Sequence, residues 1–306
     1  MASIYEHGIY TKEQPTGMVA PVMGTAGLQV IVGTAPVHML ADPAAAVNKP
    51  LLVQSYKEAV AAVGYSDDFA AFTLCESISA NFSVVGVAPL VLINVLDPVK
   101  HSTDLTETTV QVNSGVAVVA KTGVLPDKLV VKSGDVELAR DTDYITAWGS
   151  DGAINIVLVE GGAGDGATVL TITGKKLDPG KVTAADIIGG VDIATGDETG
   201  LEVIRQVYPK FGLTPGILLA PRFSADPAVA AALQAKTKEI NGVYRAVCIV
   251  DVDSTQEGAT KYTDVKEQKE KQVLTDPNAY GVWLYGKVGE TLYSGSTLAA
   301  ALTAYT

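Results

Sequence analysis

Largely apolar runs recur along this chain at 28–36, 90–96, 216–221 and 246–250, interrupted only by Gln29, Thr34 and Asn94 and without polar alternation. A strand that alternates has one wet face, and a strand that does not is covered on both, as in a parallel sheet between helices. Pro50-Leu51-Leu52-Val53 reads as a further short strand, and 279–285 as another. Helix signals lie between these runs. Ser55-Tyr56-Lys57-Glu58 has the form of a capping box, with Gly64 placed to stop the helix it opens. Phe69, Phe72, Cys75, Ile78 and Phe82 recur at three- and four-residue steps, which predicts a second helix with one apolar stripe, capped by Asp67 or Asp68. Thr183-Ala184-Ala185-Asp186, Thr199-Gly200-Leu201-Glu202 and Asp226-Pro227 mark three more helix starts. The charged stretch 258–272 reads as an exposed helix, and 296–305 as a final one.

The texture changes after Asp97-Pro98. From about 100 to 176 the runs are strand-length, at 109–112, 115–121, 128–132, 144–148, 154–159 and 168–173, and turn residues separate them. Strands so spaced with no helix between them predict an all-β sandwich or small barrel. Helix-and-strand texture returns near Lys181, so the β-rich stretch is read as an insertion. The expected fold is an α/β core with a largely parallel or mixed sheet flanked by helices, plus the inserted all-β domain. The expected division is an extended arm at 1–20, a core at 21–98 and 179–306, and an insert at 99–178. The arm is set apart by what it lacks: residues 5–21 are polar, broken by Pro15 and Pro21, and show no helical period.

Composition adjusts this picture in three ways. At 306 residues and 47% hydrophobic, the chain can bury a large core, and disorder is not its default. Lys and Arg total 22 against 34 for Asp and Glu, a net charge of −12 that repels nucleic-acid phosphates. Cys75 and Cys248, the two cysteines, sit in apolar runs and read as core thiols, in keeping with a reducing cytoplasm. No secretory signal and no apolar run long enough for a membrane span is visible.

Candidate chemistry is sparse. Asp251-Val252-Asp253-Ser254-Thr255 follows a buried strand and has the D-x-D-x-T form of haloacid dehalogenase enzymes, with the first Asp as nucleophile and the second as general acid beside Mg²⁺. The short remainder of the chain lacks that class's later acidic motif, and the plainer reading is a polar strand end that caps the next helix. The glycine-rich 161–166 lies between strands and has no following Lys-Ser/Thr, so it reads as a hairpin loop and not a phosphate cradle. Gly24-Thr25-Ala26-Gly27 precedes a strand, the wrong side for a dinucleotide turn. His7, His38 and His101 are the three histidines, and none is spaced for zinc. Trp148 and Trp283 read as core residues. No catalytic residue, cofactor or metal ligand is assigned.

Several blocks, taken together and in order, resemble the tail sheath proteins of contractile bacteriophage tails and related contractile injection particles. His7-Gly8-Ile9-Tyr10 through Glu13, Pro15 and Gly17 is similar to the sheath start G-v-y-i-x-E-x-P-x-G. Val30-Ile31-Val32-Gly33-Thr34-Ala35, then Asn48-Lys49-Pro50-Leu51-Leu52-Val53-Gln54-Ser55-Tyr56-Lys57-Glu58-Ala59, match the next two blocks. Leu90 to Val95, Gly216-Ile217-Leu218-Leu219-Ala220-Pro221 with Tyr244 to Val252, and Ser294-Gly295-Ser296 before the last helix complete the series. The resemblance covers about three-quarters of the chain and skips the insert.

It implies a structural subunit that polymerises helically around a tail tube and contracts to drive the tube through a cell envelope. The implied partners are the subunit itself, the tail tube, and baseplate and tail terminator proteins, with no nucleic acid and no membrane insertion. The implied place is the virion tail sheath, assembled in the bacterial host cytoplasm. Arms add strands to neighbouring subunits in this family, which assigns Ile4, Tyr5, Gly8, Ile9, Tyr10, Glu13 and Pro15 to an inter-subunit arm. Most sheaths continue beyond the block at 294–305, so the resemblance also implies a chain lacking its C-terminal domain. The alternatives are a Mg-dependent phosphotransfer enzyme using Asp251 and Asp253, or a surface-binding module that displays the β insert.

Overall fold

The computed structural model describes residues 27–149 and 152–305. The first apolar run becomes strand β1 (Gln29–Gly33), buried at every position. Strand β2 (Pro50–Val53) leads into helix α1 (Tyr56–Val63). At its start Ser55 Oγ accepts from Glu58 N, and the Glu58 carboxylate reaches back to accept from Gln54 N at 2.8 Å. Gly64 ends the helix at φ +79°, where a Cβ would lie 2.6 Å from the Pro36 carbonyl oxygen.

Helix α2 (Thr73–Ile78) begins later than its apolar stripe implies. Neither Asp67 nor Asp68 caps it: Asp68 accepts from Ala71 N and closes a turn, which buries Phe69 and Phe72 ahead of the helix. Helix α2 continues into a π-helical stretch, Ser79–Val85, and strand β3 (Leu90–Asn94) is again wholly buried.

Seven strands follow: β4 (Ser102–Asn113), β5 (Val116–Val119), β6 (Val130–Ser133), β7 (Val136–Leu138), β8 (Tyr144–Trp148), β9 (Ile154–Leu158) and β10 (Val169–Leu177). They form one curled antiparallel sheet in the order β7-β6-β10-β4-β5-β9-β8. An isolated bridge between Arg140 and Tyr144 lies in the turn that leads from β7 to β8. Val119, Leu138, Tyr144, Ile156 and Ile172 belong to its own buried cluster, separate from the main core. Its two ends leave side by side, with Ser102 paired to Leu177 and Asp178 N donating to the His101 carbonyl at 2.8 Å.

The loop 161–166 is not a hairpin, because it joins β9 to β10 and these strands are not neighbours. It is pinned instead by Asp143, whose carboxylate accepts from Ala163 N at 2.8 Å and Ala139 N at 2.7 Å. Those two N–H groups hold the Asp143 carboxyl below its ordinary pKa.

The chain then returns to the main domain through helix α3 (Ala184–Ile188), the hairpin β11 (Gly190–Val191) and β12 (Glu198–Thr199), and helix α4 (Val207–Phe211). Strand β13 (Ile217–Leu219) precedes helix α5 (Pro227–Lys238), which Asp226 caps by accepting from Ala228 N and Val229 N. Strand β14 (Val247–Val252) and helix α6 (Val265–Lys271) follow. The α-helix is shorter than the charged stretch 258–272: it begins at Val265, after a 3₁₀ turn at Tyr262–Asp264, and ends at Lys271, with Gln272 buried just beyond it. Strand β15 (Ala279–Trp283), the hairpin β16 (Gly286–Val288) and β17 (Thr291–Tyr293), and helix α7 (Gly295–Tyr305) complete the described chain.

The main sheet runs β15-β14-β13-β1-β3-β2. Its first five strands are parallel, and β2 lies antiparallel to β3 at the edge. Helices α5 and α7 both pack on β13 and β14, while the 3₁₀ segment Gly200–Gln206 covers β1, β2 and β3. Cys75 and Cys248 lie in this core as free thiols, their pKa values pushed up to about 12 by burial.

Candidate functional site: the crest of the main sheet

The chain runs from β1 outward to β3 and β2 on one side, and later to β13, β14 and β15 on the other. The carboxyl ends of β1 and β13 therefore flank the point where strand order reverses, the place where open α/β sheets ordinarily form a ligand crevice. Here the crevice is filled by the chain's own polar groups. Thr34 and Thr73 exchange hydrogen bonds: Thr34 N donates to Thr73 Oγ1 at 3.2 Å, and Thr73 N to Thr34 Oγ1 at 3.1 Å. Helix α2 presses so close that a Cβ on Gly33 would lie 2.3 Å from Thr73 Oγ1.

Beside this contact lies a knot of charged groups. Glu76, on α2, is fully buried and accepts from Arg222 Nε at 2.7 Å and from Ser294 N. Arg222 follows β13 with φ +66°, and its guanidinium carbon lies 5.2 Å from the centre of the Tyr285 ring. Asp251, at the end of β14, accepts from four donors. Ser296 N reaches Oδ1 at 2.9 Å, while Ser296 Oγ, Arg222 N and Ser224 Oγ reach Oδ2 at 2.7, 2.9 and 3.3 Å. Gln272 Nε2 donates to the carbonyls of Ser224, Ala225 and Asp251 at 3.0–3.2 Å. A buried carboxylate is stable only when paired and hydrogen-bonded; Glu76 meets both conditions, and the half-buried Asp251 is held by hydrogen bonds alone. The result ties α2, β13, β14, α6 and the start of α7 together.

In the D-x-D-x-T reading Asp251 would face a substrate; here its oxygens are turned to donors of the chain itself, three on Oδ2 and one on Oδ1. Asp253 Oδ1 accepts from Thr255 N at 2.9 Å and closes a turn; it does not cap the next helix, which begins only at Tyr262–Asp264 and Val265. The cavity beside them is about 80 Å³, well below the ~300 Å³ of ordinary small-molecule sites. Among the described residues no group of three His, Cys, Asp or Glu side chains is placed to hold a metal ion.

Asp251 and Ser294-Gly295-Ser296 were both legible as motifs, but nothing in the sequence says that they meet. Glu76 and Arg222 carried a fainter signal: Glu76 is the one charge inside an otherwise apolar and small-residue run, and such a residue needs a partner. His38 and His101 are buried. His38 lies 5.4 Å, ring centre to ring centre, from Trp148, edge to face, so Trp148 of the curled sheet touches the main domain and does not sit wholly in its own cluster. Trp283 is half-buried and donates from its indole nitrogen to the Ala259 carbonyl at 2.8 Å. The arm residues Ile4, Tyr5, Gly8, Ile9, Tyr10, Glu13 and Pro15, and His7 with them, lie outside the described residues.

In sequence the chain is similar to tail sheath proteins of phage and prophage origin. It is 31% identical over 248 residues to the tail sheath protein of Burkholderia phage BcepMu, a match over 79% of this chain and 48% of that protein. A putative prophage major tail sheath protein of Pseudomonas aeruginosa strain UCBPP-PA14 is 30% identical over 141 residues, 46% of this chain and 35% of that one. The chain spans half or less of the length of these curated relatives. No family model matches it. The relatives are structural proteins and not enzymes, in agreement with the absence of an assigned catalytic residue.

Proposed function

We propose that the chain is a subunit of a contractile tail sheath, polymerising helically around a tail tube and contracting to drive that tube through a target envelope. The observation that carries this reading is the 31% identity to a phage tail sheath protein over 79% of the chain. The crest knot supports it, because a subunit that moves as a near-rigid body needs its helices fixed to its sheet. Energy for contraction is then a difference between two packings of the same subunits, stored at assembly, with no cofactor or nucleotide. The partners are further copies of the subunit, the tube, and baseplate and terminator proteins at the two ends. The place is the virion tail, assembled in the host cytoplasm, with no nucleic acid bound and no membrane inserted. No described helix is long and apolar enough to cross a membrane.

The residues proposed to join subunits are Ile4, Tyr5, Gly8, Ile9, Tyr10, Glu13 and Pro15, which would add a strand to the sheet of a neighbour. Main-chain hydrogen bonds supply affinity in that mode, so deletion tests it better than point substitution. Removing residues 1–16 and imaging the protein with its tube protein by electron microscopy is the test. Loss of tubes is expected, and normal contractile tubes from the deleted protein overturn the arm assignment.

A further inference from the structure

Helix α7 wears its large apolar residues on the outside. It carries no charged side chain along Gly295–Tyr305, and its buried positions are small: Gly295, Ser296, Thr297, Ala300 and Ala301. Leu298, Leu302 and Tyr305 recur at steps of four and three and so share one face. Leu298 is half-buried, while Leu302 and Tyr305 are 57% and 69% exposed. A surface helix buries its large apolar stripe and turns charge to water, whereas a helix without charge on any face is one that something covers. The hairpin β16–β17 flanks the stripe, because Gly286 closes on Leu298 Cδ1. Val288 stands on the same side of its strand as Gly286 and is exposed as well. Helix and hairpin together form an apolar trough.

The chain enters the described fold at the end of this same helix. A Cβ on Gly27 would lie 3.3 Å from Ala304 Cα, so the backbone ahead of β1 passes against the last turn of α7. A few residues earlier stands Met18-Val19-Ala20-Pro21-Val22-Met23, which has no polar side chain and ends the polar character of the arm. The steps from Met23 to Gly27 span up to about 14 Å, enough to round a helix about 10 Å across. Pro21 removes a backbone donor from the middle of the segment, which favours side-chain packing over strand pairing. The other groove near Gly27 adjoins Gly216, whose N–H donates to the Leu28 carbonyl at 3.0 Å. That groove offers Thr214, Arg245 and Asn278, and 18–23 has no polar side chain to meet them.

We infer that residues 18–23 of the same chain lie in the α7 trough, with their apolar side chains against Leu298, Leu302 and Tyr305. The short connection through 24–26 gives the segment a high effective concentration at the trough, so docking within the chain outcompetes docking from another copy. The segment is then an anchor that divides the N-terminus in two, and it fixes where residues 1–16 leave the subunit. The anchor stands by itself; its consequence, an arm already aimed at a neighbouring copy, rests on the sheath reading.

The test is cysteine cross-linking with Val22→Cys and Leu302→Cys in one chain. The native thiols are buried and raised to about 12, so they stay silent near neutral pH. Mild oxidation is expected to consume both introduced thiols within the monomer, seen as a faster band on a non-reducing gel that reductant reverses. Thr11→Cys with Leu302→Cys, which places the first thiol in the polar arm, is expected to stay open. A second measurement needs no cross-link. Leu302→Asp is expected to lower the melting temperature of the full chain by about 2–4 °C, and to leave it unchanged in a chain without residues 1–23. Free thiols after oxidation, closure of both cysteine pairs at one rate, or the same melting shift in both chains overturns the anchor. So does a mixture of the Val22→Cys and Leu302→Cys single variants that forms dimers as readily as the double variant closes, since the segment then comes from a second copy. Tubes seen by electron microscopy without the closed monomer remove the anchor and leave the sheath reading standing. A closed monomer without tubes keeps the anchor and removes the sheath reading.

Discussion

Glu76 shows how much of this fold hangs on single polar side chains. It is buried in a core domain, and it is tolerable there because Arg222 and Ser294 satisfy it. Removing one partner of such a pair strands the other charge, at a cost of about 3–5 kcal/mol. Glu76→Ala is expected to destabilise by that amount in urea unfolding, and Glu76→Met with Arg222→Met to recover most of it. His38 makes a pH-dependent case. Burial holds its pKa down to about 4, against 6.5 in an unfolded chain, and its Nδ1 has no hydrogen-bond partner among the described residues. Between these values the unfolded chain binds a proton that the native protein does not. Stability therefore rises with pH across that window and is lost as pH falls from 6.5 toward 4, by about 3 kcal/mol for this group. Urea unfolding at pH 7 and pH 4.5 measures it, and His38→Leu is expected to remove that share of the difference. Because His38 touches Trp148, the indole fluorescence is expected to report the same change.

At the scale of elements, the strands of the main sheet were the most legible part. β1 and β3 are buried at every position, and runs that are apolar apart from Gln29 and Asn94 point to it directly. Capping gave α1 and α5 for the same reason, since Ser55 and Asp226 act through neighbours in sequence. The misses are elements set by distant contacts. β7 has three residues and no period to count, and β10 extends to Leu177 because β4 runs beside it. The hairpins β11–β12 and β16–β17 are too short to register. The loop 161–166 looks like a hairpin by composition, while its real path depends on Asp143, twenty residues from its partner Ala163. Of the candidate site, the motif at Asp251 could be read, but not its four donors, which come from two distant segments of the chain, 222–224 and 296. The pairing of Ser102 with Leu177 carries a separate expectation. Replacing 103–176 with a short Gly-Ser turn is expected to leave the main domain folded, with cooperative thermal unfolding and native-like circular dichroism. Loss of cooperative unfolding would show that the curled sheet is structurally required.

At the scale of the molecule, an acidic protein of two hydrophobic clusters carries a polar knot where related sheets would bind ligands, and its sequence is similar to that of a tail sheath protein. Its proposed role is collective, and no single site performs it. The D-x-D-x-T motif, the strongest chemical signal in the sequence, is used to fasten α7 to the sheet. The most direct test of the whole account is electron microscopy of the protein expressed together with its tail tube protein. Long hollow tubes with a helical repeat, into which the main domain fits as a rigid body, are the expected result. Dispersed particles at every concentration, with the tube left bare, would contradict it.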